Sequence, residues 1–417
     1  MPPKPQFKYY LQSKKYFIDE KTDIWSLPIP LSIKKPQKAE EISVTYGDYF
    51  YAIRSFLEKD EFKSITSAIS QHLNQKIKPE EIQEIRIYLE KHGEFYHPAR
   101  IETFINGSRI LFVLNAAISS AGKGFIKREF EILNKLNNEF SFSFIPKVYS
   151  RGEICIKNKN VEISMFLGEW FEGFNEFHIS QNKYKQAKTD SSIKIVVWDH
   201  EKGNFLLSDD ETLELYSQVA MILTCYYNAE TFEQIFPWHH AAGDFVIKLQ
   251  KNNMEMKLIT VRQYAPMLEN KNETAKNNTD SDIYLMLEAM LVFFLNLSIR
   301  NRLDRLDGVG EIVWSDNIAV EGTLKGFLKG LSQLSYNNLI PDTPATDFIN
   351  YISCFSKTDL LELCNSIVNT YNPMAPELSI IRQNLKNHVD LLYDRLDSAD
   401  KLISSTAQQL NSSPKGR

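Results

Sequence analysis

The segment from Pro237 to Lys248, PWHHAAGDFVIK, places two adjacent histidines and an aspartate immediately before an apolar stretch. His239 and His240 carry imidazoles that exchange a proton near neutral pH, as a general base must. Asp244 carries a carboxylate, which accepts hydrogen bonds and binds hard cations such as Mg²⁺. The segment therefore has the residue types for proton transfer beside a metal ion.

Two other interpretations of the same residues are open. A metal-dependent hydrolase could use all three side chains, but adjacent residues of an extended segment point to opposite faces, so His239 and His240 would rarely bind one ion. The sequence also has no HExxH or equivalent spacing. In a purely structural interpretation, the histidines cap a helix or bind a backbone carbonyl, and Asp244 is a turn residue.

The first half of the chain predicts mostly strands. Residues 1–40 are rich in proline and lysine and predict an extended arm or leader. Residues 41–175 predict a helical lead-in, which includes a helix starting near Pro79, followed by an antiparallel sheet with one helix. Asn106-Gly107 between two strand-like runs predicts a tight hairpin turn. The C-terminal residues 406–417 predict a disordered tail.

The second half, residues 176–405, predicts a mostly helical domain. Ser208 followed by Glu211 predicts a capping box at the start of a helix. The apolar run 283–299 is barely long enough to cross a bilayer and contains polar residues, so a buried core helix is favoured. The charged segment 301–314 predicts either a solvated turn or one side of a substrate cleft.

The composition of the 417-residue chain excludes several classes of protein. A hydrophobic content of 43% with 12% aromatics is that of a packed globular protein. A formal net charge of −5 gives no basic excess for nucleic acid. Four scattered cysteines give no zinc-binding spacing, and the N-terminus has no apolar signal segment. We therefore expect a cytoplasmic protein that binds neither nucleic acid nor a membrane.

Six stretches of the sequence carry a resemblance to a known superfamily. FVLNAAIS and KREFEILNKL resemble the third strand and the following helix of the protein-kinase-like superfamily, in particular of its aminoglycoside phosphotransferase and choline kinase branch. IPKVY resembles the start of the next strand, and ISMFLGEWFEGF the last strand and the hinge beside the adenine. HHAAGDFVIK and KLITVRQY resemble the catalytic loop and the metal-binding strand. The resemblance covers residues 95–330 and implies an α+β, two-lobed fold, with a small antiparallel-sheet N-lobe and a mostly helical C-lobe.

The resemblance implies that ATP and Mg²⁺ are cofactors and that a nucleotide or small molecule is the ligand. In the N-lobe, the lysine that anchors the nucleotide phosphates is replaced by Asn115, while its glutamate partner matches Glu129. Lys123 is a candidate replacement cation in the same region, and Glu169 lies at the implied adenine-binding hinge.

The family's catalytic loop has the form H-G-D-x-H-x-x-N, with the general base five positions before the metal-binding asparagine. Asp244 falls in the asparagine's place, so His239 stands where the base belongs. The second metal-binding aspartate falls at Val261 or Arg262. Arg262 removes a metal-binding anion but could supply a positive charge directly.

These departures leave two hypotheses. The missing charges favour a kinase-like pseudoenzyme or regulatory module that binds a nucleotide or another small ligand without transferring phosphate. The alternative is an atypical ATP-dependent phosphotransferase that acts on a small molecule, with His239 as the base and Asp244 as a metal ligand.

Overall fold

The computed structural model describes residues 4–11, 16–30, 44–93, 95–156, 159–181, 193–199, 202–239, 243–251, 253–267, 279–340 and 344–396. The fold is of the mixed α+β class, with a sheet rich in antiparallel pairs. The chain forms two compact units: unit 1 comprises Met1–Glu139 and Pro146–Glu172, and unit 2 comprises Phe140–Ile145 and Gly173–Arg417. The predicted limits of arm, lobes and tail stay predictions, and residues 406–417 lie outside the described residues.

Unit 1 is built on a seven-stranded sheet in the order β2-β1-β3-β4-β5-β7-β6. All neighbours are antiparallel except β1 and β3, which are parallel. The strands are β1 (Gln6–Leu11), β2 (Tyr16–Ile18), β3 (Ile82–Leu89), β4 (His97–Ile105), β5 (Ser108–Ala117), β6 (Val148–Ile156) and β7 (Val161–Glu169). Helices α1 (Tyr46–Leu73) and α2 (Ser120–Glu139) both pack against this sheet.

The hairpin between β4 and β5 confirms the predicted turn. Ile105 pairs with Ser108, so the loop contains only Asn106 and Gly107. Both have positive φ, 51° and 80°. Asparagine and glycine tolerate this region of backbone conformation better than other residues, and two-residue hairpins require it.

The prediction of a helix that starts near Pro79 is wrong. Pro79–Glu81 forms a single 3₁₀ turn, and the following residues form β3. The segment pairs along its length with both β1 and β4, and Ile85, Ile87 and Leu89 alternate toward the buried side. Its β-branched residues suit a strand, and non-local pairing overrides the helix-start signals of Pro79 and the acidic residues that follow it.

Within the predicted N-terminal arm, residues 6–11 and 16–18 are part of the sheet. Residues 6–11 are extended, but they form a full strand beside β3, and Tyr9, Trp25 and Ile29 are buried. These residues join a core that lies between α1 and one face of the sheet. The burial of these apolar side chains holds the segment against the rest of unit 1.

Unit 2 consists of helices and short strands. The strands are β8 (Glu176–Gln181), β9 (Ile193–Trp198), β10 (Phe205–Leu206), β11 (Glu233–Ile235), β12 (Phe245–Gln250), β13 (Asn253–Leu258), β14 (Tyr264–Pro266), β15 (Leu303–Arg305) and β16 (Ile312–Trp314). The helices are α3 (Asp209–Cys225), α4 (Thr279–Arg300), α5 (Ile318–Tyr336), α6 (Pro344–Ile352), α7 (Lys357–Asn369) and α8 (Leu378–Leu396). The capping box predicted at Ser208 and Glu211 is present at the start of α3.

Helix α4 is the one described helix that is long and apolar enough to cross a membrane. Its window Ile283–Arg300 has a mean hydropathy of 1.7, and 67% of that window is buried inside the protein. It packs against α5, α6, α7 and α8. The predicted buried core helix fits this position.

Candidate functional site

The double-histidine loop of unit 2 is held at both ends by backbone hydrogen bonds. It runs from the end of β11 to the start of β12. At its first end, Phe236 N–H donates to the carbonyl of Gln263 at 3.2 Å. At its other end, Ile259 N–H donates to the carbonyl of Asp244 at 2.7 Å. The segment 259–263, which contains Val261 and Arg262, therefore lies alongside the loop.

The buried Asp244 and the partly exposed Arg262 form an ion pair at this point. Arg262 Nη1 donates to Asp244 Oδ2, and the same oxygen accepts the backbone N–H of His239 at 2.7 Å. The Asp244 side chain is 2% exposed and the Arg262 side chain 26% exposed. Of the two candidates Val261 and Arg262, Val261 is fully buried, and Arg262 is the one whose side chain reaches Asp244 at the end of the loop.

His239 contributes its backbone N–H to this cluster, and its side chain interacts electrostatically with Glu377. Glu377, which precedes α8, accepts a hydrogen bond from Arg300 Nη1 at 3.0 Å. Burial opposes ionisation of Glu377, but hydrogen bonds from its own backbone and from Arg300, together with the charges of Arg300 and His239, lower its pKa. The sequence analysis missed Glu377, because nothing in the local sequence connects it to the double-histidine loop.

In unit 1, Asn115 and Glu129 lie in the layer between β5 and α2. Asn115 pairs with Phe166 of β7, whose ring lies 6.0 Å from that of Phe130 on α2. Neighbouring residues across a sheet share a face, so Asn115 is on the face covered by α2. Glu129 lies on the buried side of α2 with Ile126. Asn115 is 7% exposed and Glu129 is 4% exposed.

Lys123 and Glu169 have partners of their own within unit 1. Lys123 Nζ lies 3.5 Å from Glu162 Oε1 of β7, in a partly exposed ion pair. Glu169, at the end of β7, accepts the backbone N–H of Lys147 at 3.2 Å. Burial, and then the charge of Glu169, raise the pKa of the nearby Tyr149 phenol.

The structure thus brings the predicted residues together in two groups, one in each unit. His239, Asp244 and Arg262 meet in unit 2, while Asn115 and Glu129 share one layer of unit 1. His240, part of the proposed hydrolase site, lies outside the described residues. Among the described residues there is no group of three or more histidine, cysteine, aspartate or glutamate side chains arranged to hold a metal ion.

The charged segment 301–314 is not a solvated turn at its start. Asn301, Arg302 and Asp304 are at most 2% exposed. Arg302 donates from Nε to the carbonyl of Ser315 and from Nη2 to Asn317 Oδ1, both at 3.0 Å. Burial lowers the pKa of Arg302 to about 10. Arg302, just before the β15–β16 hairpin, is therefore hydrogen-bonded to the residues that lead into α5.

Comparisons with known proteins give no family for this chain. No model of a protein family matches it, and no curated protein matches it. Among solved structures, the PAN3 pseudokinase of Drosophila melanogaster is similar with a TM-score of 0.23 and 9% sequence identity. That match covers 75% of this chain and 66% of the PAN3 chain, just under two thirds of its length. At this TM-score the match carries no argument about fold or function.

Proposed function

We propose that this chain is a kinase-like pseudoenzyme, a cytoplasmic binding or regulatory module that does not transfer phosphate. The single observation that carries the proposal is the ion pair between the buried Asp244 carboxylate and Arg262. Val261 or Arg262 falls where the resemblance places a metal-binding aspartate, and Arg262 binds the carboxylate of Asp244, which falls at the other metal-binding position. A site with one buried carboxylate already bound by a guanidinium does not suit Mg²⁺, which needs anionic oxygen ligands.

The element order of unit 1 supports the kinase-like part of the proposal. β5, α2, β6 and β7 follow one another as the resemblance implies for the third strand, the helix and the last two strands. Asn115 and Glu129 occupy the layer in which the phosphate-anchoring lysine and its glutamate would meet. Replacing that lysine with a neutral amide removes a cation that phosphoryl transfer uses to stabilise charge on the phosphates.

The proposed ligand is a nucleotide or another small molecule that is bound without Mg²⁺. A thermal-shift titration of the full chain with ATP, with and without MgCl₂, tests this ligand. We expect the same shift in both conditions, because the proposed site has no metal requirement. A shift that appears only with MgCl₂ would contradict the proposal. A matched variant, Arg262→Gln, frees the Asp244 carboxylate and is expected to introduce a Mg²⁺ dependence that the natural chain lacks.

The alternative is an atypical phosphotransferase with His239 as base. The backbone of His239 holds Asp244, and its imidazole interacts electrostatically with Glu377, so the residue already has a structural role that explains its position. A screen for ATP consumption against pooled metabolites tests this alternative. Consumption that is lost in His239→Ala and in Asp244→Asn would favour it over the pseudoenzyme.

A further inference from the structure

Two histidines of unit 1 face each other at a distance suited to a shared metal ion. His92 lies in the connection after β3, and His97 is the first residue of β4. Their Nδ1 atoms are 3.2 Å apart. A tetrahedral zinc ion bound by two imidazole nitrogens at about 2.0–2.1 Å holds those nitrogens about 3.3 Å apart.

The ring positions favour convergence over a straight hydrogen bond. In a linear N–H···N bond of the same length, two imidazole centroids would be about 5.5 Å apart. The centroids of His92 and His97 are 5.1 Å apart, and their planes are inclined by 75°. The Nδ1–Nδ1 contact is therefore bent, which two lone pairs directed toward one ion require and which a hydrogen bond between the two rings also allows.

Tyr46, the first residue of α1, completes the arrangement. Its hydroxyl lies 3.3 Å from His92 Nε2. When Nε2–H of His92 donates a hydrogen bond to the phenol oxygen, the ring's lone pair is left on Nδ1, the atom that faces His97. A partner on the second ring nitrogen is the usual way in which proteins orient a metal-binding histidine. Tyr49 of the same helix donates to the carbonyl of His97 at 2.9 Å and fixes the other ligand's backbone.

We propose that His92 and His97 chelate one late-transition divalent cation, such as Zn²⁺, with water at the remaining positions. Imidazole nitrogen is a preferred ligand of zinc, copper and nickel, whereas Mg²⁺ prefers oxygen. The half-buried His92 gives the ion access from solvent, and the buried His97, 2% exposed, anchors it to the sheet. The ion would link the loop after β3 to the start of β4, beside α1. This site does not involve Asp244.

Isothermal titration of the metal-stripped, full-length chain with ZnCl₂ tests this site. We expect saturable binding of one Zn²⁺ per chain, at least tenfold weaker affinity in His92→Ala, and about tenfold weaker affinity in Tyr46→Phe. His72→Ala, at an exposed histidine of α1, and His239→Ala are the matched controls and should keep the affinity of the natural chain.

Two results would overturn the proposal. One is the absence of saturable Zn²⁺ binding in the natural chain. The other is unchanged affinity in His92→Ala, or loss of affinity in His239→Ala instead, either of which would put the ion elsewhere. His92→Asn serves as a second variant if the alanine protein does not fold, which circular dichroism without metal shows directly.

Discussion

The ion pair of Asp244 and Arg262 is asymmetric, because only one of its members can reach water. Arg262→Gln leaves a carboxylate that is 2% exposed without its cation, and removing one partner of a buried pair costs about 3–5 kcal/mol. Asp244→Asn leaves the 26% exposed Arg262 able to hydrate and still offers an acceptor to His239 N–H, so we expect a cost of about 1–2 kcal/mol.

Urea unfolding of the two variants measures this difference. The double variant Asp244→Asn/Arg262→Gln is the control, and it should lose less stability than the sum of the single changes, since no unpaired charge remains. Equal losses in the two single variants, or a larger loss in Asp244→Asn, would contradict the buried ion pair.

His388 on α8 predicts how stability depends on pH. It is fully buried, and its Nε2 lies 3.0 Å from Ser298 Oγ. Burial, and then the charge of Arg302, lower its pKa to about 3, against a value of about 6.5 in an unfolded chain. Its contribution is therefore complete above pH 6.5 and is lost as the pH falls from there toward 3, by about 1.4 kcal/mol per pH unit.

Chemical denaturation between pH 7 and pH 4 tests this contribution in the natural chain and in His388→Gln. The glutamine keeps a hydrogen-bonding side chain but does not titrate. We expect the free energy of unfolding of the variant to decrease less steeply below about pH 6.5. The same slope in both proteins would contradict a neutral, buried His388.

At the scale of elements, features set by neighbouring residues could be predicted from the sequence, whereas features set by distant residues could not. The capping box at Ser208 and the turn at Asn106-Gly107 depend on neighbouring residues, and both are present. The sequence of β3 predicts a helix, because the pairing with β1 that makes it a strand involves residues far away in the chain. In the same way, Asp244 and Arg262 were both singled out from the sequence, but their pairing depends on the fold of the segment 259–263.

The close packing of α3 and α5 gives a prediction at this scale. A methyl group at Gly326 of α5 would lie 2.0 Å from the Ser217 carbonyl oxygen of α3. Because that atom belongs to the backbone, the helices would have to move apart, and Gly326→Ala should destabilise the protein by about 1–3 kcal/mol. Thermal unfolding measures this change.

Gly124→Ala on α2 is the matched control for the helix effect alone. Nothing lies within 4 Å of the methyl group it would add. Because alanine favours a helix more than glycine does, we expect this variant to be unchanged or stabilised by up to about 1 kcal/mol. A Gly326→Ala protein as stable as Gly124→Ala would contradict the close contact between α3 and α5.

At the scale of the whole molecule, the α+β class and the buried α4 were predictable from sequence periodicity. Periodicity and composition report burial, but they do not report which charges meet. The proposed lack of phosphotransferase activity depends on one such contact. Arg262 prevents metal binding in this proposal because its guanidinium binds the Asp244 carboxylate. Function was therefore less accessible from the sequence than fold class.

The most direct test of this account is ATP turnover by the full-length chain in MgCl₂, measured as phosphate release or transfer and compared with Asp244→Asn. A carboxylate already bound by Arg262 predicts the same background rate in both proteins. Turnover in the natural chain that requires Mg²⁺ and is abolished by Asp244→Asn would contradict it.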